Sequence, residues 1–237
     1  MIVNSKLQEI MMRRSDASGD VETESCWDAG FVCENLYVGS LRAALDLGNL
    51  RGHNIGAILT VAGRLKTNVP SDIDHLVIDI PDHPSADIIG ILQTAFQFLD
   101  GQLLASDSAR KNVLVHCASG ISRSVSVCCA WLMTRKAMNF ESACKLIRIN
   151  RPRAAPNVGF YAQLSVLSSF LKPDDATNED IDLDQVREAY NAMLGGDGIT
   201  NILFIQRSRA NELHAVVDSK FIMSSCLSQE DVDRLIL

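Results

Sequence analysis

The chain has no long apolar run, no paired-cysteine spacing and no excess of positive charge, and each absence removes a class of function. No apolar segment approaches the ~20 residues that a membrane-spanning helix needs. The opening MIVNSKLQEIMMRRSDASGD lacks the continuous apolar stretch of a secretory signal. The closing DRLIL is not a prenylation sequence, and Ile2 stands where myristoylation requires glycine. Seven cysteines (Cys26, Cys33, Cys117, Cys128, Cys129, Cys144 and Cys226) form an odd set without a C-x-x-C pair. That argues against a disulfide framework and against a zinc site, and nothing else calls for a cofactor. A reducing intracellular compartment, cytoplasmic and/or nuclear, is expected, with no membrane partner. The formal net charge of -7 argues against a nucleic-acid partner, whose electrostatic footprint would be basic, but leaves room for an anionic substrate met by a few local donors.

What is present reads as an ordinary globular composition, 47% apolar and 22% charged. Residues 1–27 are polar and mixed in charge, and are expected to be a flexible tail. Asn35–Ser40, Ala57–Ala62, residues 75–80 (HLVIDI) and Val113–Val115 read as strands, with a short helical segment, LRAALDLGNL, between the first two. From Ile88, apolar residues at Leu92, Ala95, Phe96, Leu99 and Leu103 mark one face of a long helix, with Asp87 suited to its N-terminus. Phe140, Ala143, Cys144 and Ile147 share another helical face that Arg151-Pro152 should end, and Tyr161, Leu164 and Leu171 mark a further helix. Strands alternating with helices imply an α/β domain with a largely parallel central sheet, spanning 28–172 and ending near Lys172-Pro173. The remainder, 173–237, is a C-terminal extension without a readable motif. A helix over 183–194, two strands (ILFIQ and HAVVD) and a terminal helix capped by Ser228 are expected there.

The chemistry concentrates in His116-Cys117-Ala118-Ser119-Gly120-Ile121-Ser122-Arg123-Ser124, between the VLV strand and the apolar stretch VSVCCAWLM. A loop entering a helix N-terminus can turn several backbone N–H groups inward, making an anion site that the helix dipole favours. Gly120 permits the backbone angles of such a curl. Arg123, six residues after Cys117, can bind two phosphate oxygens with its fork of donors. The same field favours the thiolate of Cys117, the nucleophilic form. Ser124 can donate its hydroxyl to the sulfur, and His116 can hold the loop through its ring nitrogens. Cys128 and Cys129 read as small core residues.

HCASGISRS resembles the H-C-x5-R-S/T loop of the cysteine-dependent protein phosphatases, in their dual-specificity branch. The resemblance covers roughly residues 30–172 and includes ENLYVGS, LVIDIPDH, VLVHC and RPRAAPNVGFYAQL. It implies a central mixed sheet flanked by helices, a cysteinyl-phosphate intermediate and no metal. It also makes Ala118, Ser119, Gly120, Ile121, Ser122 and Arg123 the substrate-binding loop.

Breaking a phosphate monoester benefits from an acid at the leaving oxygen, worth about 10²–10⁴-fold. Asp72, Asp74, Asp79, Asp82 and Asp87 all precede Cys117. Asp79 falls within a strand pattern and Asp87 suits a cap, whereas Asp82 follows the strand on a loop. If the strands 75–80 and 113–115 run parallel, Asp82 and Cys117 emerge at the same sheet edge, where ligands bind in such folds. PDHPSADI resembles the family's acid segment, so Asp82 is the match and Asp79 the reserve.

The variable loop positions Ala118, Ser119, Ile121 and Ser122 are uncharged, which disfavours a phosphoinositide substrate, and no basic track offers itself to RNA 5′-phosphates. The stretch before residue 57 is too short for the deep slot of tyrosine-specific relatives, so a shallow pocket is expected. Such a pocket admits phosphoserine, phosphothreonine and phosphotyrosine in protein substrates, with MAP kinases as a candidate partner. Arg151 matches a pocket-rim position that can meet a second phosphate, or else complements a helix dipole. The other class is a phosphoprotein-binding module of the same fold. Such relatives usually lose the Cys, Arg or acid, all of which are present here.

Overall fold

Strand β3 (Ile55–Val61) reads apolar at almost every position because both of its faces are covered. Ala57, Leu59 and Val61 face the larger core, while Ile55 and Ile58 face a second, smaller one. Its neighbour β5 (Asn112–His116) divides in the same way, Val113 and Val115 to one side and Leu114 to the other. From Ala57 onward in β3 and throughout β5 the period of two thus supplies two layers from one central sheet, and a register shift between Ile55 and Ala57 lets Ile55 join the smaller layer.

The computed structural model describes residues 27–63, 65, 69–104, 111–171 and 181–194. β1 (Ala29–Cys33), β2 (Leu36–Gly39) and β4 (Asp74–Ile78) complete a sheet of order β1-β2-β5-β3-β4. β1 pairs antiparallel with β2, and every other pairing is parallel. The sheet is therefore mixed but largely parallel, as expected, with β1 an addition the sequence pattern did not reveal. The carboxyl ends of β4 and β5 leave the sheet at one edge, so Asp82 and Cys117 start from the same side.

Helices α1 (Leu41–Leu45) and α2 (Leu47–Gly52) cover the smaller face. One helical segment was expected here. Asp46 divides it, ending α1 and accepting the Asn49 N–H at 3.0 Å as the cap of α2. On the other face lie α3 (Leu92–Leu103), α4 (Arg123–Arg135), α5 (Phe140–Asn150) and α6 (Val158–Phe170). A 3₁₀ turn, Ile89–Ile91, precedes α3, and Asp87 accepts the Gly90 N–H at 2.8 Å. Every residue of α4 from Ser124 to Thr134 is buried, which makes it the central helix. Its polar members turn inward on the backbone, Ser126 donating to Ser122 O at 2.9 Å and Thr134 to Ala130 O at 2.9 Å. Cys128 and Cys129 are fully buried there, as expected of core residues.

Helix α7 (Leu183–Met193) falls where 183–194 was read as helical. The packed core does not stop near Lys172-Pro173, however, because Val186 and Tyr190 of α7 are buried within it. Of the tail expected over 1–27, residues 1–26 lie outside the described residues, as do the ILFIQ and HAVVD strands and the Ser228 cap, whereas Trp27 packs on the smaller core and donates its Nε1–H to Ala43 O at 3.1 Å. No helix among the described residues is long and apolar enough to cross a membrane.

Candidate active site

Between His116 at the end of β5 and Arg123 at the start of α4, the chain curls around the Cys117 sulfur. Gly120 has φ +64, and a Cβ there would fall 2.4 Å from both Gly39 O and the Arg151 Nη2. Backbone angle and space both demand glycine. The curl brings the Gly120 N–H to 3.2 Å from Cys117 Sγ, and the Ser124 hydroxyl lies 3.3 Å from the same atom. Cys117 is only 1% exposed, so these two donors meet the sulfur in a site largely shielded from bulk water. The loop is moored to the β2–α1 junction, Cys117 N–H donating to Gly39 O at 3.4 Å and Leu41 N–H to Ala118 O at 3.1 Å.

His116 supports the loop from beneath. Its Nδ1 lies 3.2 Å from the Cys117 carbonyl, which can only accept, so Nδ1 carries the proton. Burial holds the ring's pKa down at about 4, outweighing the carbonyl that favours protonation. In the neutral ring Nε2 then accepts, taking the Thr60 hydroxyl at 2.8 Å, and Thr60 in turn accepts from His75 Nε2 at 2.8 Å. Sequence reading found His116 but neither Thr60 nor His75, which come from the neighbouring strands β3 and β4.

Arg151 lies behind the loop, not at the rim. It is 4% exposed, and its guanidinium donates to Gly120 O, to Ser119 O at 2.9 Å and to Asp28 O at 3.0 Å. With these donors held by loop carbonyls and by Asp28, it shapes the curl and is not free for a second phosphate. Nor does it act mainly as a complement to the dipole of α5. Asp28 pairs with Arg151 at 3.2 Å and with the half-exposed Arg153 at 2.6 Å. Burial opposes the Asp28 carboxylate, but the Ser40 hydroxyl and the two guanidiniums outweigh it and hold its carboxyl below the ordinary value.

Asp82 reaches this loop from the end of β4. Its Oδ1 accepts from Ser122 Oγ at 2.7 Å and from Asn157 Nδ2 at 2.8 Å, and its Oδ2 lies 3.4 Å from Arg123 Nε. Arg123 also donates to Ile80 O at 3.3 Å, which draws the strand-end segment towards the loop. Asp79 turns elsewhere, since a Cβ on Gly63 would fall 2.3 Å from its Oδ1. Cys117, Arg123, Ser124, Ser122 and Asp82 are thus brought together, while Ala118 and Ser119 are exposed and Ile121 donates no side-chain bond but accepts Ala155 N–H at 2.9 Å through its carbonyl.

Asn157 is the residue that sequence reading missed at this point. It caps α6 by accepting the Phe160 N–H at 3.0 Å, its own N–H reaches Ser122 Oγ at 3.0 Å, and its amide holds Asp82. Two further contacts seat the Asp82 segment on α6. A Cβ on Gly159 would fall 1.7 Å from Pro84 O, so only glycine lets the segment lie down. One turn on, the Gln163 carbonyl accepts from Ile88 and Ile89 N–H at 2.9 and 3.3 Å, and its amide donates to Ala86 O at 2.8 Å. The sequence signal for this platform was the segment RPRAAPNVGFYAQL, which contains all three residues and carried the family resemblance without assigning them a role.

The family described as "Dual specificity phosphatase, catalytic domain" matches residues 36–169. Dual specificity protein phosphatase 1B of Arabidopsis thaliana is 36% identical over 137 residues, which cover 58% of this chain and 80% of that protein. MAP kinase phosphatase with leucine-rich repeats protein 2 of Dictyostelium discoideum is 32% identical over 133 residues, 56% of this chain and 18% of that protein. Among solved structures, the human tyrosine phosphatase-like serine/threonine/tyrosine-interacting protein superposes with a TM-score of 0.56 at 29% identity, covering 60% of this chain and 97% of that one.

Proposed function

The chain belongs to the dual-specificity phosphatase family and is a protein phosphatase, and from that premise we propose that Cys117 attacks the phosphorus of protein phosphomonoesters while Asp82 protonates the leaving oxygen. In the first step the sulfur–phosphorus bond forms, the phosphorus–oxygen bond breaks, and the proton on Asp82 passes to the departing hydroxyl. In the second, water attacks the cysteinyl-phosphate, gives its proton to the Asp82 carboxylate and releases phosphate, while the Ser124 hydroxyl stabilises the departing thiolate. Arg123 and the N–H groups of the loop Ala118–Ser122 bind the equatorial oxygens, where charge accumulates.

The observation that carries this reading is the meeting of Gly120 N–H and Ser124 Oγ at the Cys117 sulfur, with Asp82 bonded to Ser122 of the same loop. Arg123 Nε adds to it, being buried with the Asp82 carboxylate at 3.4 Å but making no hydrogen bond, which leaves its N–H open to a phosphate oxygen. Replacing Cys117→Ser should abolish turnover of para-nitrophenyl phosphate while leaving binding of inorganic phosphate measurable. Turnover at the original rate would refute the nucleophile.

The substrates are phosphotyrosine and phosphoserine or phosphothreonine side chains of phosphoproteins, since the loop carries no cation at positions 118, 119, 121 or 122 to favour a polyphosphorylated ring. Phosphorylated MAP kinases are the partner class, by analogy with the named activity of the Dictyostelium relative. An intracellular location, cytoplasmic and/or nuclear, fits the five unpaired cysteines among the described residues.

A further inference from the structure

Helix α7 lies beyond the family-matched stretch, yet it closes over the segment that carries Asp82. Val186 is fully buried and Tyr190, one turn later on the same face, is 7% exposed. That face packs against α6 and against the 3₁₀ turn Ile89–Ile91. Asp182 fixes where the helix begins, accepting the N–H groups of Asp184 and Gln185 at 3.0 and 3.1 Å.

The contacts of α7 fall beside the two side chains that hold the far shoulder of the Asp82 segment, Gln163 by packing and Asp87 by an ion pair. The Tyr190 ring is buried against α6, with its hydroxyl beside the Gln163 amide. Gln163 already accepts twice on its oxygen, from Ile88 and Ile89, and spends one N–H on Ala86 O. With its oxygen and one N–H so engaged, the amide has little room to turn, and the Tyr190 ring packed beside it restricts that rotation further. Arg187 meets Asp87 Oδ2 at 3.6 Å, while the other Asp87 oxygen holds Gly90 N–H. The near shoulder is fixed independently, by Ser122 and Asn157 on Asp82 and by Pro84 lying on Gly159.

We infer that α7 seats the segment bearing Asp82, with Val186 and Tyr190 as positioning residues for protonation of the leaving group. This rests on the assignment of Asp82 as the acid. Three backbone groups of the segment hang on one Gln163 amide, so a rotation of that amide moves the segment as a unit. Proton transfer requires about 2.6–3.2 Å between donor and leaving oxygen, which makes it the step most sensitive to such a shift. The cradle around Cys117 makes no bond to α7, so phosphate binding is insulated from it.

Leaving-group dependence tests this in the full chain. Phenyl phosphate expels a basic oxygen that needs the acid, whereas para-nitrophenyl phosphate expels a weakly basic one. Tyr190→Ala and Val186→Ala should lower kcat on phenyl phosphate about five- to tenfold, a fraction of what a general acid supplies, with less than about twofold loss on para-nitrophenyl phosphate and KM unchanged. Equal losses on both substrates, or no loss on either, overturn the inference. Asp82→Asn serves as the reference. If it shows the leaving-group bias and the α7 variants do not, only the role of α7 falls. If Asp82→Asn shows no bias, the acid assignment falls and takes this inference with it. Adding Val186→Ala to Asp82→Asn should cost nothing more on phenyl phosphate, and a further multiplicative loss counts against the mechanism.

Discussion

Acidification should loosen this protein through His116. The ring is fully buried, and its pKa is about 4 against 6.5 for the exposed side chain. A histidine whose folded pKa is depressed gives stability that is fully present above about 6.5 and lost as pH falls, because the unfolded chain takes up a proton that the folded one refuses. From pH 7 to pH 4.5 that single difference removes about 2 kcal/mol, a sizeable share of the ~5–15 kcal/mol typical of a domain. His75 is shifted down by burial as well and adds in the same direction. Urea unfolding at closely spaced pH values reads the effect as a midpoint that falls by about 1 M over that range. His116→Gln keeps an amide N–H for the Cys117 carbonyl but cannot titrate, so its stability should fall less steeply between pH 6 and 4.5, by up to one proton's worth of slope. A variant with the same slope as the original chain would refute the assignment of a neutral His116 and with it the hydrogen-bond order from His75 through Thr60.

Gly159→Ala would place a methyl where Pro84 O now lies, lifting the Asp82 segment, and kcat on phenyl phosphate should fall at least about tenfold while phosphate affinity is kept. Unchanged kcat would show that the segment does not rest on α6. Arg151→Lys keeps the charge but cannot span Gly120 O, Ser119 O and Asp28 together, so thermal or urea unfolding should register a loss of about 2–3 kcal/mol, and inorganic phosphate should bind more weakly. A stable variant with weakened phosphate binding would instead return Arg151 to the rim role.

The parts of the site that could be read from the sequence are those made within a few residues of one another. Cys117, Gly120, Arg123 and Ser124 owe their arrangement to a strand running into a helix, and that context is visible as VLV before HCASGISRS and apolar residues after it. Asp82 required the sheet as well, because only parallel β4 and β5 bring it to the same edge. The roles of Asn157, Gly159 and Gln163 were out of reach, since they act on a segment some 75 residues away, and RPRAAPNVGFYAQL carried a resemblance without saying what its residues touch. Arg151 went wrong for a related reason. At the end of a helix its charge has a local explanation, while its partners, Asp28 and the carbonyls of Ser119 and Gly120, come from two distant places in the chain. β1 was hidden because AGFVC is short and its pairing depends on the tight return at Glu34, which has φ 43. The single helix expected over LRAALDLGNL failed at Asp46, whose competing role as a cap outweighed an unbroken apolar pattern.

The grip of Arg151 on the back of the phosphate loop separates form from recognition. The curve of the loop is dictated by backbone carbonyls in the hand of one guanidinium and by His116 below, and neither reads the side chains of Ala118 or Ser119, which face outward. Those two positions are therefore free to change what the enzyme prefers to touch without disturbing where the phosphorus sits. A lineage could drift between protein targets there by single substitutions, each leaving the chemistry intact, whereas a change at Asp28, remote from any substrate, would be felt at the sulfur.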